Sequence, residues 1–530
     1  MRFLAPFAVA CLWASSAAAQ SSAHQDHDRD RMPLYGERLG SYTWPVATTS
    51  PTAQAYFDQG VRLMYAYTPG DALRSFVEAR TEDPECAMCW WGEAWAVGPY
   101  LNGGMRPADV PAAYAAAQRA VQLSGRVSEV ERALISALAV RYAPAHPADG
   151  RRGLDSAYVN AMADVYARFP DHVEVATLYA DALMLLEPRR GVWPLEKASV
   201  ALIHRVLEGA LSRDIGHPGA CHAYVHATET TPKVTEAQAC ADLLGASIPG
   251  ASHINHMPSH TYNRVGRWGD ATRSNIEAWQ TDVRAGDGDG FAIYPAHNLH
   301  MLLFSASMDG QGALAQQAAR DYARLAPNDG HGFLALVLVR FGRFRDALEI
   351  TNAPAHPIHQ GFIGFARGMA HLRLGSVDSA GMYAALVDSL AAHAPANRML
   401  RQHAPAQMLG ITGGILRGEI LRHEGRVAEA MEAFEEAVRL EGMLVYDEPE
   451  PIPFSARDFL GALLLEQGRA AEAQRVYEEA LVARPNNGWS LVGLEAALRA
   501  QGRVAEADDV GARFRRAWER SEVWLPASRF

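Results

Sequence analysis

The sequence predicts an all-α fold in which pairs of helices stack into a solenoid. Three observations support this prediction: the length of the chain, its abundant alanine, leucine and arginine, and a 34-residue repeat of small and apolar residues. The chain has 530 residues, more than one compact core usually holds, so several domains or an elongated repeat array is expected. The composition and the repeat favour the array.

One complete repeat unit near the C-terminus defines the frame. Numbered 1 to 34, its positions 8, 11, 15, 20, 24, 27 and 32 are Gly461, Leu464, Gly468, Ala473, Tyr477, Ala480 and Pro485. Small residues at positions 8 and 20 let two helices approach closely, and a proline at position 32 ends the second helix. The same frame fits the chain around Gly60 and Gly418, but it is degenerate over 126–217, where only helices are predicted.

The chain divides into seven segments on this basis. In order they are a signal peptide (1–19), a disordered leader (20–50), N-terminal repeats (51–125), degenerate helical repeats (126–217), histidine-bearing repeats (218–329), helical repeats (330–410) and C-terminal repeats (411–530) with an inserted loop (441–457).

The first segment has the features of an export signal. Arg2 precedes an apolar stretch at 3–13, and the alanines at 17–19 form a cleavage site before Gln20. Lipid modification of Cys11 is the less favoured alternative. We therefore expect a periplasmic or secreted protein, and no other stretch is long and apolar enough to span a bilayer.

The charge of the chain indicates which kinds of partner it can bind. The formal net charge is −11 and the pI is near 6.0, with no run of lysine or arginine. Since nothing in this pattern would neutralise a phosphate backbone, nucleic acid is not an expected partner.

Seven histidines occupy the same three positions of three successive repeats. The units are 218–251, 252–285 and, after an insert at 286–295, 296–329. Residues three or four apart share one helix face, and equivalent positions of stacked repeats lie side by side. The histidines at positions 2, 5 and 9 are His222, His226, His253, His256, His260, His297 and His300. The pattern predicts a two-dimensional patch of imidazoles.

A transition metal is the ligand that this patch suits best. Neutral imidazoles bind copper, zinc, iron or nickel, and a His-x-x-x-His pair presents two of them one helical turn apart. Copper is favoured over zinc and iron, by chemical analogy with binuclear copper centres that activate oxygen. Glu229, at position 12, is the candidate acid or base, or a partner that orients a ligand. Zinc with Glu229 as the base would instead predict hydrolysis, although the chain lacks His-Glu-x-x-His.

Four cysteines remain after the export signal, an even number in a compartment where disulfides persist. Cys221 at position 4 and Cys240 at position 23 lie on antiparallel helices and are expected to form one disulfide. Cys86 and Cys89 have C-x-x-C spacing, but Trp90 stands where haem attachment would need a histidine. A short structural disulfide is expected there, with a redox or copper-binding pair as the alternative.

Five segments together carry a resemblance to known proteins. They are 86–92 (CAMCWWG), 217–229, 253–266 with the motif His-Met-Pro-Ser-His, 297–300 and 446–457. In combination they resemble a family of exported bacterial tetratricopeptide-repeat proteins. The resemblance implies a right-handed superhelix of repeats and a shared site, and it implies no particular reaction.

In tetratricopeptide repeats, positions 2, 5, 9 and 12 of the first helix line the concave groove where ligands bind. The resemblance therefore places the histidines in a groove. Further groove candidates are Trp91, Trp95, Asn102, Asp181, Glu229 and Asn263. The inserted loop, with Tyr446, Glu448 and Arg457, is either a lid over the groove or a solvated connector.

Two functions of different class follow. The first, and the favoured one, is a metalloenzyme, such as a copper-dependent oxidoreductase, with the seven histidines as ligand candidates. The second is a non-catalytic scaffold whose groove binds a peptide or a partner protein. In both cases the groove ligand, a small molecule or a peptide, is unidentified.

Overall fold

The computed structural model describes residues 31–148, 150–188 and 191–530, and it confirms an all-α solenoid of tetratricopeptide type. Outside the helices, the described residues form only isolated β-bridges. The predicted signal peptide, Cys11 and the first part of the leader lie outside the described residues.

The described part of the chain contains 25 α-helices, and the first eight build its N-terminal region. They are α1 (Pro51–Tyr65), α2 (Pro69–Glu82), α3 (Ala87–Val97), α4 (Val110–Leu123), α5 (Glu129–Ala139), α6 (Arg152–Arg168), α7 (Val173–Met184) and α8 (Ala198–Arg213). The next eight form the middle of the chain. They are α9 (Pro218–Thr228), α10 (Gln238–Ser247), α11 (Ser252–His256), α12 (Pro258–Val265), α13 (Trp268–Gly286), α14 (Pro295–Met308), α15 (Gly312–Leu325) and α16 (Pro327–Arg340).

Nine helices complete the chain. They are α17 (Phe344–Leu348), α18 (Pro357–Arg373), α19 (Val377–His393), α20 (Pro405–His423), α21 (Val427–Glu441), α22 (Ala456–Glu466), α23 (Ala470–Ala483), α24 (Gly488–Ala500) and α25 (Val504–Ala517). The inserted loop predicted at 441–457 is the connection between α21 and α22.

Two glycine positions explain why the repeat keeps its phase. Gly468, at position 15, has a φ of 71°, the left-handed conformation that glycine adopts without steric cost at the end of a helix. Gly461, at position 8, faces the aromatic residue at position 24, and a Cβ there would lie 2.4 Å from the Tyr477 ring. The helices of a pair therefore pack closely only if position 8 is small.

The first helix of the unit 252–285 is interrupted in the middle of the histidine motif. Helix α11 ends at His256 and α12 begins at Pro258. Proline has no N–H to donate, and its ring crowds the preceding turn. The backbone N–H of His260 donates instead to the Met257 carbonyl at 3.1 Å.

Two large apolar cores and one small cluster, formed by Ala241, Tyr262 and Ala271, run along the described part of the solenoid. The first extends from Met32 to Phe291 and the second from Trp268 to Val510. Helices α9 and α11 contribute to the first core and α14 to the second. The histidine-bearing helices therefore lie where the two cores meet.

Both ends of the described chain fold back onto the middle. Trp268 Nε1 donates to the Pro485 carbonyl at 2.9 Å, and Arg520 pairs with Asp309 at 2.8 Å. At the other end, the backbone N–H of Gly250 donates to the Arg38 carbonyl at 2.7 Å. These contacts enclose the histidine-bearing repeats.

Residues 31–50 differ from the disordered leader that their polar composition predicts. Met32, Leu39 and Trp44 are at most 6% exposed, and all three belong to the first core. A few apolar side chains are enough to anchor this otherwise polar segment. In the described part of the chain, the search for a helix long and apolar enough to cross a membrane found none.

Candidate metal centre

Six of the seven predicted histidines form two adjacent groups of three. The first trio is His222, His226 and His253, and the second trio is His256, His260 and His297. Within each trio, one ring nitrogen from each histidine lies within 4.8 Å of the other two. The rings of His253 and His256 are 5.9 Å apart, centre to centre, so the two trios are neighbours.

In the first trio, hydrogen bonds fix which ring nitrogen carries the proton. His222 Nδ1 lies 2.6 Å from the Tyr65 carbonyl, and His226 Nδ1 lies 3.2 Å from Glu229 Oε1. Carbonyl and carboxylate oxygens can only accept, so Nδ1 donates in both rings and the lone pair of each neutral ring is on Nε2. His253 is 2% exposed, yet neither of its ring nitrogens has a hydrogen-bond partner among the described residues.

In the second trio, two nitrogen lone pairs face one another. His256 Nδ1 donates to Asn275 Oδ1 at 2.8 Å, and the Asn275 amide is fixed because its Nδ2 donates to the Ala271 carbonyl at 2.8 Å. His260 Nδ1 donates to Glu229 Oε2 at 2.7 Å. The two Nε2 atoms therefore both carry lone pairs, although they are only 2.8 Å apart. A proton or a metal ion must be shared between them.

Protonation of the His256 ring is disfavoured. Burial, reinforced by neighbouring imidazoles, lowers the pKa of the His256 ring well below its ordinary value. Burial lowers the pKa in the same direction for His222, His253, His297 and His300. Neutral imidazole is the form that binds transition metals.

Glu229 connects the two trios. One carboxylate oxygen accepts from His226 and the other from His260, so each trio has one ring oriented by the same side chain. Glu229 follows directly after α9 and is only 5% exposed. Carboxylates in this position orient a histidine and raise its basicity toward a metal.

Two tyrosines with unusual backbone conformations cover the first trio. The Tyr67 ring centre lies 4.2 Å from that of His222 and 5.4 Å from that of His253, and Tyr294 lies 5.6 Å from His253. Tyr67 has a φ of 57° and Tyr294 a φ of 59°. Positive φ is rare for a bulky residue, and such strain concentrates at functional sites.

A cavity of about 70 Å³ adjoins both trios. It is lined by His226 from the first trio and His297 from the second, with Glu229 between them. Its outer wall includes Trp193 and Tyr446. A small molecule in this cavity would reach both groups of histidines.

His300 lies outside both trios. Its Nδ1 accepts a hydrogen bond from Arg401 Nη2 at 2.5 Å, so the proton of the neutral ring is on Nε2. Its ring packs 4.0 Å from Phe333 in the second core. His300 follows His297 by three residues on α14, and its side chain points past the second trio toward that core.

The predicted groove aromatics and Asp181 do not belong to either trio. Trp91 is buried in the first core, with its ring 5.1 Å from that of Trp95. Trp95 and Asp181 line a smaller cavity of about 30 Å³ that also reaches His222. Burial raises the pKa of the Asp181 carboxyl to about 6. Asn263 is half-buried and donates to Met301 Sδ at 3.9 Å.

Two of the three predicted loop residues line the larger cavity. Tyr446 and Glu448 line the 70 Å³ cavity, and burial raises the pKa of the Tyr446 hydroxyl well above its ordinary value. Arg457 instead pairs with Glu441 at 2.9 Å. Asn102 lies in the turn closed by hydrogen bonds between residues 100 and 103, next to the cavity-lining Leu101.

The trios occupy the interior of the molecule, whereas an open groove was expected. Of the seven histidines, all except His297 are at most 4% exposed. The α1–α2 connection carries Tyr67, whose ring packs against His222, and the loop between α21 and α22 contributes Tyr446 and Glu448 to the lining of the cavity.

Both predicted cysteine pairs are joined in the structure. Cys86 and Cys89 are bonded at the start of α3, with both side chains buried. Cys221 and Cys240 link α9 to α10. Because Cys221 directly precedes His222, this disulfide constrains the helix that carries two histidines of the first trio.

Three residues of the site were not identified from the sequence. Asn275 stands at position 24, where other units carry Tyr477 or Phe434, so a polar residue at an aromatic position was an available signal. Tyr67 and Arg401 had no comparable signal, because each reaches the site from a distant part of the chain.

Comparisons with known proteins identify the repeat. A tetratricopeptide-repeat family model matches residues 415–442, which span the second half of α20 and all of α21. No curated protein matches the chain.

Among solved structures, the human IFIT1 dimer with m7Gppp-AAAA is 10% identical, with 88% of this chain and 90% of that chain covered and a TM-score of 0.30. The APC/C hetero-tetramer Cut9-Hcn1 is 12% identical, with 88% and 76% covered and a TM-score of 0.30. A TM-score of 0.30 does not support a common function for these proteins and this chain.

Proposed function

We propose that this chain is an exported tetratricopeptide-repeat protein that binds transition-metal ions, preferentially copper, in the two histidine trios. The observation that carries the proposal is the 2.8 Å approach of His256 Nε2 to His260 Nε2, with both Nδ1 protons engaged elsewhere. Two nitrogens that bind one ion at about 2.0–2.1 Å are themselves on the order of 3 Å apart. The spacing of these two rings suits a shared ion.

Copper is favoured by the donor set of the two trios. Each trio offers three imidazoles, and sites rich in nitrogen donors bind copper more tightly than other first-row divalent ions. The two disulfides support an oxidising compartment, in agreement with the expected export signal. Calcium and magnesium prefer oxygen donors and fit poorly.

The cavity between the trios favours an oxidoreductase over a hydrolase. A copper pair supplies one-electron chemistry and oxygen activation when bound. The chain's own contribution is a buried cavity that adjoins a histidine of each trio, with Glu229 orienting one ring on each side. Both carboxylate oxygens of Glu229 accept hydrogen bonds from histidines, which suits an orienting role better than that of the general base in zinc-dependent hydrolysis.

The alternative, a scaffold that binds a peptide in the groove, would use the same positions of the repeats. A peptide needs access to these side chains, yet most of the histidines are almost fully buried. The burial favours ions and small molecules as the ligands.

Metal analysis of the full chain, produced with export into the periplasm, tests the proposal. We expect stoichiometric copper by mass spectrometry, and loss of part of it in the His256→Ala/His260→Ala variant. A folded native protein that carries no copper, iron or zinc and takes up none on titration would contradict the proposal and favour the scaffold.

A further inference from the structure

The loop between α21 and α22 places a carboxylate beside the second trio. One ligand atom from each of Glu448, Glu229 and His260 lies within 4.8 Å of the other two. Glu448 also lines the cavity that His297 reaches. A side chain nearly 190 positions away in the sequence is thus brought next to the histidines of α12.

Arg401 fixes the loop on both sides of Glu448. Its Nη1 pairs with Asp447 Oδ1 at 2.9 Å and donates to the Pro449 carbonyl at 2.8 Å. Its Nη2 donates to His300 Nδ1 at 2.5 Å. His300, which does not join either trio, therefore anchors the arginine that holds the loop against the site.

Two carboxylates, those of Glu229 and Glu448, line the cavity beside the second trio together with the Arg401 guanidinium. Glu229 and Glu448 are both acidic and lie close together, one of them buried, where repulsion between like charges is weakly screened. Glu229 is already committed to orienting His226 and His260. A metal ion held by the second trio would place its positive charge close to both carboxylates.

We propose that Glu448 is a ligand of the ion in the second trio, so that the loop completes a mixed nitrogen and oxygen site there. The first trio, covered by Tyr67, remains a nitrogen-only site. This inference rests on the proposed metal binding. A carboxylate favours divalent ions over Cu(I), so the two sites differ in preference: the second takes Cu(II) or Zn(II), and the first also accepts Cu(I).

The test is a titration of the metal-free full chain with Zn(II) and with Cu(II), followed by competition with chelators and, for copper, by electron paramagnetic resonance. In Glu448→Gln we expect the affinity of one of two bound ions to fall 10- to 100-fold, with the other unchanged. The copper spectrum of the weakened site should shift toward nitrogen-only coordination. The matched control is Glu450→Gln, on the same loop, whose carboxylate pairs with Arg484 and not with the trio.

The possible results distinguish a failure of the Glu448 assignment from a failure of the proposed metal binding. If the wild type binds two ions and Glu448→Gln binds both with unchanged affinity and spectrum, Glu448 is not a ligand although the trios still bind metal. If the wild type binds none, the proposed function itself fails. Equal losses in Glu448→Gln and Glu450→Gln would show a general effect of the loop and overturn the assignment. Circular dichroism melts of each variant confirm that the fold is kept.

Discussion

His256 Nε2 and His260 Nε2 lie 2.8 Å apart across the proline break between α11 and α12. Each ring donates its Nδ1 proton away from the other, to Asn275 and to Glu229. The orientation of both rings therefore depends on Asn275 and Glu229, and these two residues become targets for mutation.

Substitution of Asn275 by Ala should weaken metal binding without touching a ligand. The variant loses the acceptor that fixes the His256 ring, and loss of such a partner typically costs 10- to 100-fold in metal affinity. Chelator competition measures the change. Asn275→Asp keeps an acceptor oxygen and should retain most of the affinity; equal losses in both variants would argue that Asn275 acts through packing alone.

Substitution of Glu229 by Gln should weaken both ions together. A glutamine has one acceptor oxygen and an amide group that can only donate, so it cannot receive both the His226 and the His260 protons and must leave the position in which Glu229 orients both rings. We expect the combined affinity to fall at least about tenfold. Glu236→Gln, an exposed change near α10, is the control. If Glu229→Gln affects only one ion, the connection between the trios is weaker than the structure indicates.

Removal of the Cys221–Cys240 disulfide should destabilise the histidine-bearing repeats. The bond closes a loop with a sequence separation of 19, for which chain entropy gives a stabilisation of about 3 kcal/mol. Cys221→Ser/Cys240→Ser should therefore lower the melting temperature more than Cys86→Ser/Cys89→Ser, whose separation is 3. The reverse order in calorimetry would contradict this account.

Asp282 should make stability depend on pH near neutrality. Burial raises the pKa of its carboxyl to about 7, above the value of 3.8 in the unfolded chain. A raised pKa means that the folded state holds the proton more tightly, so this contribution is fully present below pH 3.8 and is lost as the pH rises through 7. Asp282→Asn should stabilise the protein at pH 8 by on the order of 2 kcal/mol and have little effect near pH 4. A pH-independent difference in denaturant midpoint would show that the carboxyl does not titrate in this way.

The sequence predicts much of this site because the repeat phase converts spacing into geometry. His222, His253 and His256 meet because the units 218–251 and 252–285 are contiguous and their equivalent positions lie side by side. The glycines at positions 8 and 15 likewise make the helix pairs predictable. These features depend on interactions within a repeat or between neighbouring repeats.

The rest of the site depends on how distant parts of the solenoid return to one another. Tyr67 precedes the first ligand by 155 positions, and Arg401 contacts His300 across 101. Periodicity carries no information on such contacts, which is why a groove was expected where the structure has a buried cavity. His300 illustrates the same limit, since its position in the repeat matches that of His256 while its ring packs against Phe333 and accepts from Arg401.

Anomalous diffraction from crystals of the copper-loaded chain tests the central claim most directly. We predict two copper peaks inside the protein, one among His222, His226 and His253 and the other among His256, His260 and His297. Copper found only on the surface, or no ordered copper in a crystal of the folded protein soaked to saturation, would contradict the assignment of the two trios as metal sites.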